Sequence, residues 1–145
     1  MKPDRIIYKS IEFSSMNLAY NLTFKNYFTL IVGDSGTGKT FLFNRLRDLK
    51  QIHLYDKLRL YNAESEDFES IYDCKNSFIV IDNFDILVSD ELRNFLQLDK
   101  TNQFLVFGRN TDGLPVDIDS FVYLNNCNGN ITLEAVFDGL FMDGR

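Results

Sequence analysis

The chain has 145 residues, 45% of them hydrophobic, which is enough for one domain with a proper core and too few for two that each bury their own. A net charge of −6 and a pI of about 4.7 set the molecule as a whole against a nucleic-acid backbone, so direct DNA or RNA binding is not expected. No run approaches the roughly 18 apolar residues of a membrane helix, and Met1-Lys2-Pro3-Asp4-Arg5 leads into no signal-peptide core, so a cytoplasmic protein is expected.

In chain order, Ile6 to Phe13 and Tyr20 to Phe24 read as two short strands, and Phe28 to Val32 as a strand buried on both faces. The spacing of Leu42, Leu46 and Leu49 predicts an amphipathic helix after Thr40. Leu58 to Tyr61 reads as a short strand. Ser65 is placed to cap a helix with Glu66 and Asp67 in its first turn and Phe68, Ile71 and Tyr72 on one face. Phe78 to Ile81 is a second fully apolar strand, ending at Asp82. Ser89 caps a helix that buries Leu92, Phe95 and Leu96, and Phe104 to Phe107 follows as a third apolar strand. Phe121 to Leu124 and Ile131 to Phe137 flank Asn128-Gly129, a pair suited to a tight hairpin. The alternation of strand and helix predicts an α/β domain spanning residues 1–145, with a mostly parallel sheet covered on both faces and an antiparallel edge or hairpin.

Gly33-Asp34-Ser35-Gly36-Thr37-Gly38-Lys39-Thr40 has the spacing of a phosphate-binding loop and lies between a buried strand and a helix. Glycines at 33, 36 and 38 permit backbone N–H groups to turn around an anion, and the helix start presents further N–H groups to it. Lys39 is expected to bridge the β- and γ-phosphates. Thr40 would offer a hydroxyl to Mg²⁺, and Asp82, beyond a buried strand, would be its acidic partner. ATP and Mg²⁺ are therefore the expected ligands.

These segments resemble known motifs. Gly33 to Thr40 looks like a Walker A motif and Phe78 to Asp82 like a Walker B strand of the P-loop NTPases. Asp82-Asn83-Phe84-Asp85 resembles the Walker B ending of the AAA+ ATPases. Phe104 to Asn110 resembles their sensor-1 strand and puts Asn110 in the sensor position. The strands before the loop are similar to those of ABC-type ATPase cores, although too few residues separate Lys39 from Asp82 for that family's helical subdomain and signature motif. The chain has no lid domain and no clear arginine finger, and its brevity is similar to minimal P-loop proteins of bacterial mobile elements. The resemblance implies the three-layer P-loop NTPase fold.

In efficient members of those families a glutamate follows the Walker B aspartate, where this chain has Asn83. An amide can hold a water but cannot take its proton, a loss worth a factor of about 10²–10⁴. Asp85, or failing that Glu91, is the candidate replacement base, and Asn110 and Arg109 are candidate γ-phosphate sensors. Three readings stand: a slow or partner-dependent ATPase acting as a switch, a hydrolysis-poor nucleotide-binding module, and a small-molecule kinase. The kinase ranks last because the segments after Asp82 offer only Arg93, Arg109 and Arg145 as phosphate clamps. A protein partner or a second copy could meet an apolar surface from Val136 to Met142. Tyr8 or Tyr20 could stack on the base, against a more ordinary use in the core. The basic strip of Arg45, Arg47, Lys50, Lys57 and Arg59 is expected to be a solvated face, and Cys74 and Cys127 to be free thiols.

Overall fold

The computed structural model describes residues 6–33, 38–109, 114–116 and 120–136. Eight strands form one sheet: β1 (Ser10–Ser15), β2 (Leu18–Thr23), β3 (Phe28–Ile31), β4 (Leu58–Tyr61), β5 (Phe78–Ile81), β6 (Gln103–Phe107), β7 (Phe121–Cys127) and β8 (Asn130–Ala135). Their spatial order is β1-β2-β8-β7-β3-β6-β5-β4. The run from β7 to β4 is parallel, β2 and β8 pair in parallel over three residues, and β1–β2 and β7–β8 are antiparallel. Helical structure among the described residues includes α1 (Lys39–Gln51), a 3₁₀ segment (Phe68–Asp73), the four-residue α2 (Phe84–Leu87) and α3 (Asp90–Leu98).

This corrects the expected three-layer α/β fold. The sheet is mixed and strongly curled into a half-barrel, with more strand than helix. Two physical features produce the difference. The pairs β1–β2 and β7–β8 are joined by tight turns, which need no crossover helix. Met16 (φ 58°) sits in the first turn, and Asn128 (φ 56°) with Gly129 (φ 89°) makes the second. The sheet also closes part of its own concave side. Although β1 and β4 are opposite ends of the strand order, the Glu12 amide donates to Tyr55 Oη at 3.0 Å and the Lys57 amide to Tyr8 Oη at 2.9 Å. Tyr8 and Tyr55, in edge-on contact with each other, thus tie the two ends of the sheet together.

The concave core packs Leu42, Phe43, Leu46 and Leu49 of α1 against Ile11, Leu22, Phe24, Phe78, Val80 and Leu105. The other face buries Phe28, Leu30, Ile79, Ile81, Phe104 and Val106 under Ile71, Phe84, Leu92 and Leu96. The apolar runs of β3, β5 and β6 are accordingly buried on both faces. Ser89 caps α3 as its sequence position indicates, accepting from the Leu92 amide at 3.0 Å. Ser65 does otherwise: its Oγ accepts from the Asn62 amide at 2.9 Å, and the expected helix shrinks to the 3₁₀ segment. A local side-chain-to-backbone turn has displaced the cap.

Candidate functional site

Because β3, β5 and β6 are parallel and in register, their carboxyl ends reach the same edge of the sheet. Gly33 follows β3, Asp82 follows β5, and Gly108 and Arg109 follow β6. Helix α1 starts at that edge. Its N-cap is Gly38, at φ 92° and ψ 5°, a conformation that suits glycine. Among the described residues a Cβ at Gly38 would meet nothing within 4 Å, and the positive φ is what favours glycine there. No side chain caps the helix, and its first turn carries no acidic residue. The opening N–H groups and positive dipole end therefore lack an acidic side-chain neighbour in that turn.

A cavity of about 450 Å³ lies at this edge, lined by Gly38, Lys39 and Thr40 on one side, Asp82, Asn83 and Asp85 on another, and Gly108 and Arg109 on a third. Lys39 Nζ donates to the Gly33 carbonyl oxygen. Asp82 is 5% exposed. Burial raises its pKa, opposed by the hydrogen bond from the Asn83 amide (2.9 Å) and by the positive charges of Lys39 and Arg47. Such a carboxylate, half-compensated and at a cleft wall, is suited to gaining a cationic partner. Thr40 is solvent-exposed at the same cavity. Among the described residues no group of three or more His, Cys, Asp or Glu could hold a metal. Asp82 and Thr40 fit the weaker demand of Mg²⁺, one or two protein oxygens beside phosphate oxygens and water.

Asn83 has a backbone reason to be asparagine that its sequence position does not reveal. It adopts φ 56°, ψ 47° as the N-cap of α2, the left-handed region that Asn tolerates better than Glu. Asp85 also lines the cavity, but its carboxylate is engaged: Oδ1 accepts from the Arg109 amide at 3.3 Å, and Oδ2 lies 4.0 Å from Arg109 Nε. Glu91, in the first turn of α3, does not line the cavity.

Asp34, Ser35, Gly36, Thr37 and Asn110 lie outside the described residues, as do Arg145 and the expected apolar surface beyond Val136. Tyr8 and Tyr20 line no part of this cavity. Tyr20 is buried and stacks on Phe13 (4.5 Å, 7°), while Tyr8 packs edge-on against Tyr55. Much of the basic strip is occupied locally. Arg45 pairs with Asp48 at 3.0 Å, Arg47 covers Phe43, and Arg59 donates to the Asp56 and Leu58 carbonyls. Cys74 and Cys127 are free.

No protein-family model matches the chain, and no curated protein matches it. Together with the strand-rich half-barrel, this overturns the resemblance to P-loop NTPases. The segments Gly33 to Thr40 and Phe78 to Asp82 have the letters of Walker A and Walker B, but the sheet that carries them is at odds with the helix-rich core of those families. The AAA+ likeness falls with it, and Asn110, read as a sensor, lies outside the described residues. What remains is the chemistry of the residues at the edge of this sheet. No helix among the described residues is long and apolar enough to cross a membrane.

Proposed function

We propose that the cavity at the carboxyl edge of β3, β5 and β6 binds the phosphates of ATP with Mg²⁺, and that the protein hydrolyses the nucleotide slowly unless a partner assists. One observation carries this reading: Lys39 and Thr40 at the start of α1, and Asp82 beyond β5, line a single cavity. A cation, a helix N-terminus and a buried carboxylate around one space match a polyphosphate chelating a divalent ion. Lys39 and the N–H groups of α1 would hold the phosphate oxygens, and Thr40 and Asp82 the ion. Mg²⁺ in that position would neutralise charge on the transferring phosphoryl group.

Slow turnover follows from the same wall of the cavity. Asn83 cannot accept a proton, and Asp85, the nearer carboxylate, is engaged by Arg109. The adenine and its neighbours would meet a surface with no described aromatic platform other than Phe41 and Phe107, so a partner could complete that side. Hydrolysis-poor binding, in which ATP serves only to hold one surface conformation, is the second reading, and Asn83 is what favours it. Thermal unfolding with and without Mg²⁺-ATP, with phosphate release followed on the same samples, tests both. A hundredfold excess of ligand over Kd stabilises the native state by about 2.7 kcal/mol. A shift with steady phosphate release supports the ATPase, a shift without release supports the binding module, and no shift at saturating nucleotide refutes the site.

A further inference from the structure

A second cavity, of about 390 Å³, adjoins the first and shares Asn83, Asp85 and Arg109 with it. Its remaining wall is Phe84, Ile86 and Val88 on one side and Arg93 of α3 on the other. Arg93 and Arg109 are two of the three arginines that follow Asp82 in the chain, and the fold lines one cleft beside the proposed phosphate site with both of them. Arg93 lies 3.6 Å from Asp90, an exposed carboxylate, and Arg109 lies 4.0 Å from Asp85. Exposed ion pairs of this length contribute little. The cleft is open to solvent, with Asn83, Asp85, Ile86 and Arg109 exposed and Phe84 buried behind them, and it sets an apolar flank beside a few convergent charged groups.

We propose that this second chamber seats a small phosphoryl acceptor carrying a hydroxyl and an anionic group. The inference rests on the nucleotide reading of the first cavity. The anionic group would pair with Arg93 and Arg109, whose planar donors suit carboxylate or phosphate. The carbon skeleton would lie on Phe84, Ile86 and Val88. The hydroxyl would then face Asp85, at the boundary of the two chambers. Its oxygen forms a bond to the terminal phosphorus of ATP while the bond from that phosphorus to the β–γ bridging oxygen breaks. The bridging oxygen keeps the electron pair and leaves as ADP, and the hydroxyl proton passes to the Asp85 carboxylate. An acceptor anion that draws Arg109 toward itself would also loosen the guanidinium's hold on Asp85.

The test uses the full chain with Mg²⁺-ATP labelled on its terminal phosphate, and glycerol 3-phosphate and glycerate as separate probes. Label is expected on at least one probe, with ATP consumption raised about tenfold or more over the reaction without it. Arg93→Glu should abolish transfer while leaving the Mg²⁺-ATP thermal shift in place. If that variant does not fold, Val88→Trp, which fills the chamber, provides the same comparison. A thermal shift with label appearing only in inorganic phosphate overturns the acceptor chamber alone. Transfer unchanged in Arg93→Glu or Val88→Trp also overturns it. Absence of any Mg²⁺-ATP shift overturns the nucleotide reading and this inference with it.

Discussion

At Asp82, burial costs more than the neighbouring amide and cations return, so the carboxyl of the ligand-free protein has a pKa above its ordinary value of 3.8. A group that holds its proton more tightly when folded contributes stability fully present below pH 3.8 and lost as pH rises through the native pKa. Asp82→Asn keeps an oxygen for the Asn83 amide and removes the buried charge. It should raise the ligand-free melting temperature at neutral pH. The gain should vanish in acid, and the Mg²⁺-dependent part of the ATP shift should be lost. Melts at neutral and acidic pH, with and without Mg²⁺, check all three. Tyr61 is the alkaline counterpart. Burial is the main reason its phenol is pushed up to about 12, with Cys74 adding to the rise and the Ser70 hydrogen bond opposing it. Its contribution is present below pH 10.0 and is lost as pH rises toward 12. Tyr61→Phe should flatten the fall in melting temperature over that window; an unchanged alkaline slope would assign the fall to other groups.

Individual elements show which parts of the architecture were legible before folding. The apolar runs of β3, β5 and β6, the Ser89 cap and the Asn128-Gly129 turn depend on neighbours a few residues away, and each forms where its residues indicate. Lys39, Thr40, Asp82, Asn83 and Asp85 line one cavity because each lies just beyond a strong strand or at the start of a strong helix, positions that the sequence pattern locates. The curl was not legible, because it depends on pairs far apart in the chain. Gln103 is the clearest case: it is fully buried, and its Oε1 accepts from the Ile7 and Tyr8 amides at 2.7 and 2.9 Å while its Nε2 donates to the Tyr8 carbonyl at 3.1 Å. As a glutamine at the head of an apolar strand it has no local signature. Gln103→Leu fills similar space but leaves these amides without their acceptor, at a cost of about 2–4 kcal/mol for the two donors. Urea unfolding should show this loss, with amide exchange accelerated first at Ile7 and Tyr8; unaltered exchange there would mean that the segment before β1 is held by Tyr8 packing alone.

At the scale of the molecule the described residues form two cores, and the strands β3, β5 and β6 are common to both. Phe78 and Val80 face α1 while Ile79 and Ile81 face α3 and α2, so neither core can open without exposing the back of the other. Unfolding is therefore expected to be a single cooperative transition. The proposed phosphate site spans this arrangement: α1, which supplies Lys39 and Thr40, belongs to the concave core, whereas Phe84, one residue beyond Asn83, belongs to the opposite one. A ligand held by both sides should move the entire transition and not one phase of it. Lys39→Ala should lower the ligand-free midpoint modestly, since it removes a cation that offsets the buried Asp82 and the hydrogen bond to the Gly33 carbonyl, against a small gain in helix propensity. It should remove most of the roughly 2.7 kcal/mol expected at a hundredfold excess of Mg²⁺-ATP. Calorimetry distinguishes the outcomes. A single endotherm that ATP raises in the wild type but not in Lys39→Ala fits a site bridging the two cores. Two endotherms, of which ATP raises only one, would mean that the cores melt independently and that the nucleotide is held from one side of the sheet.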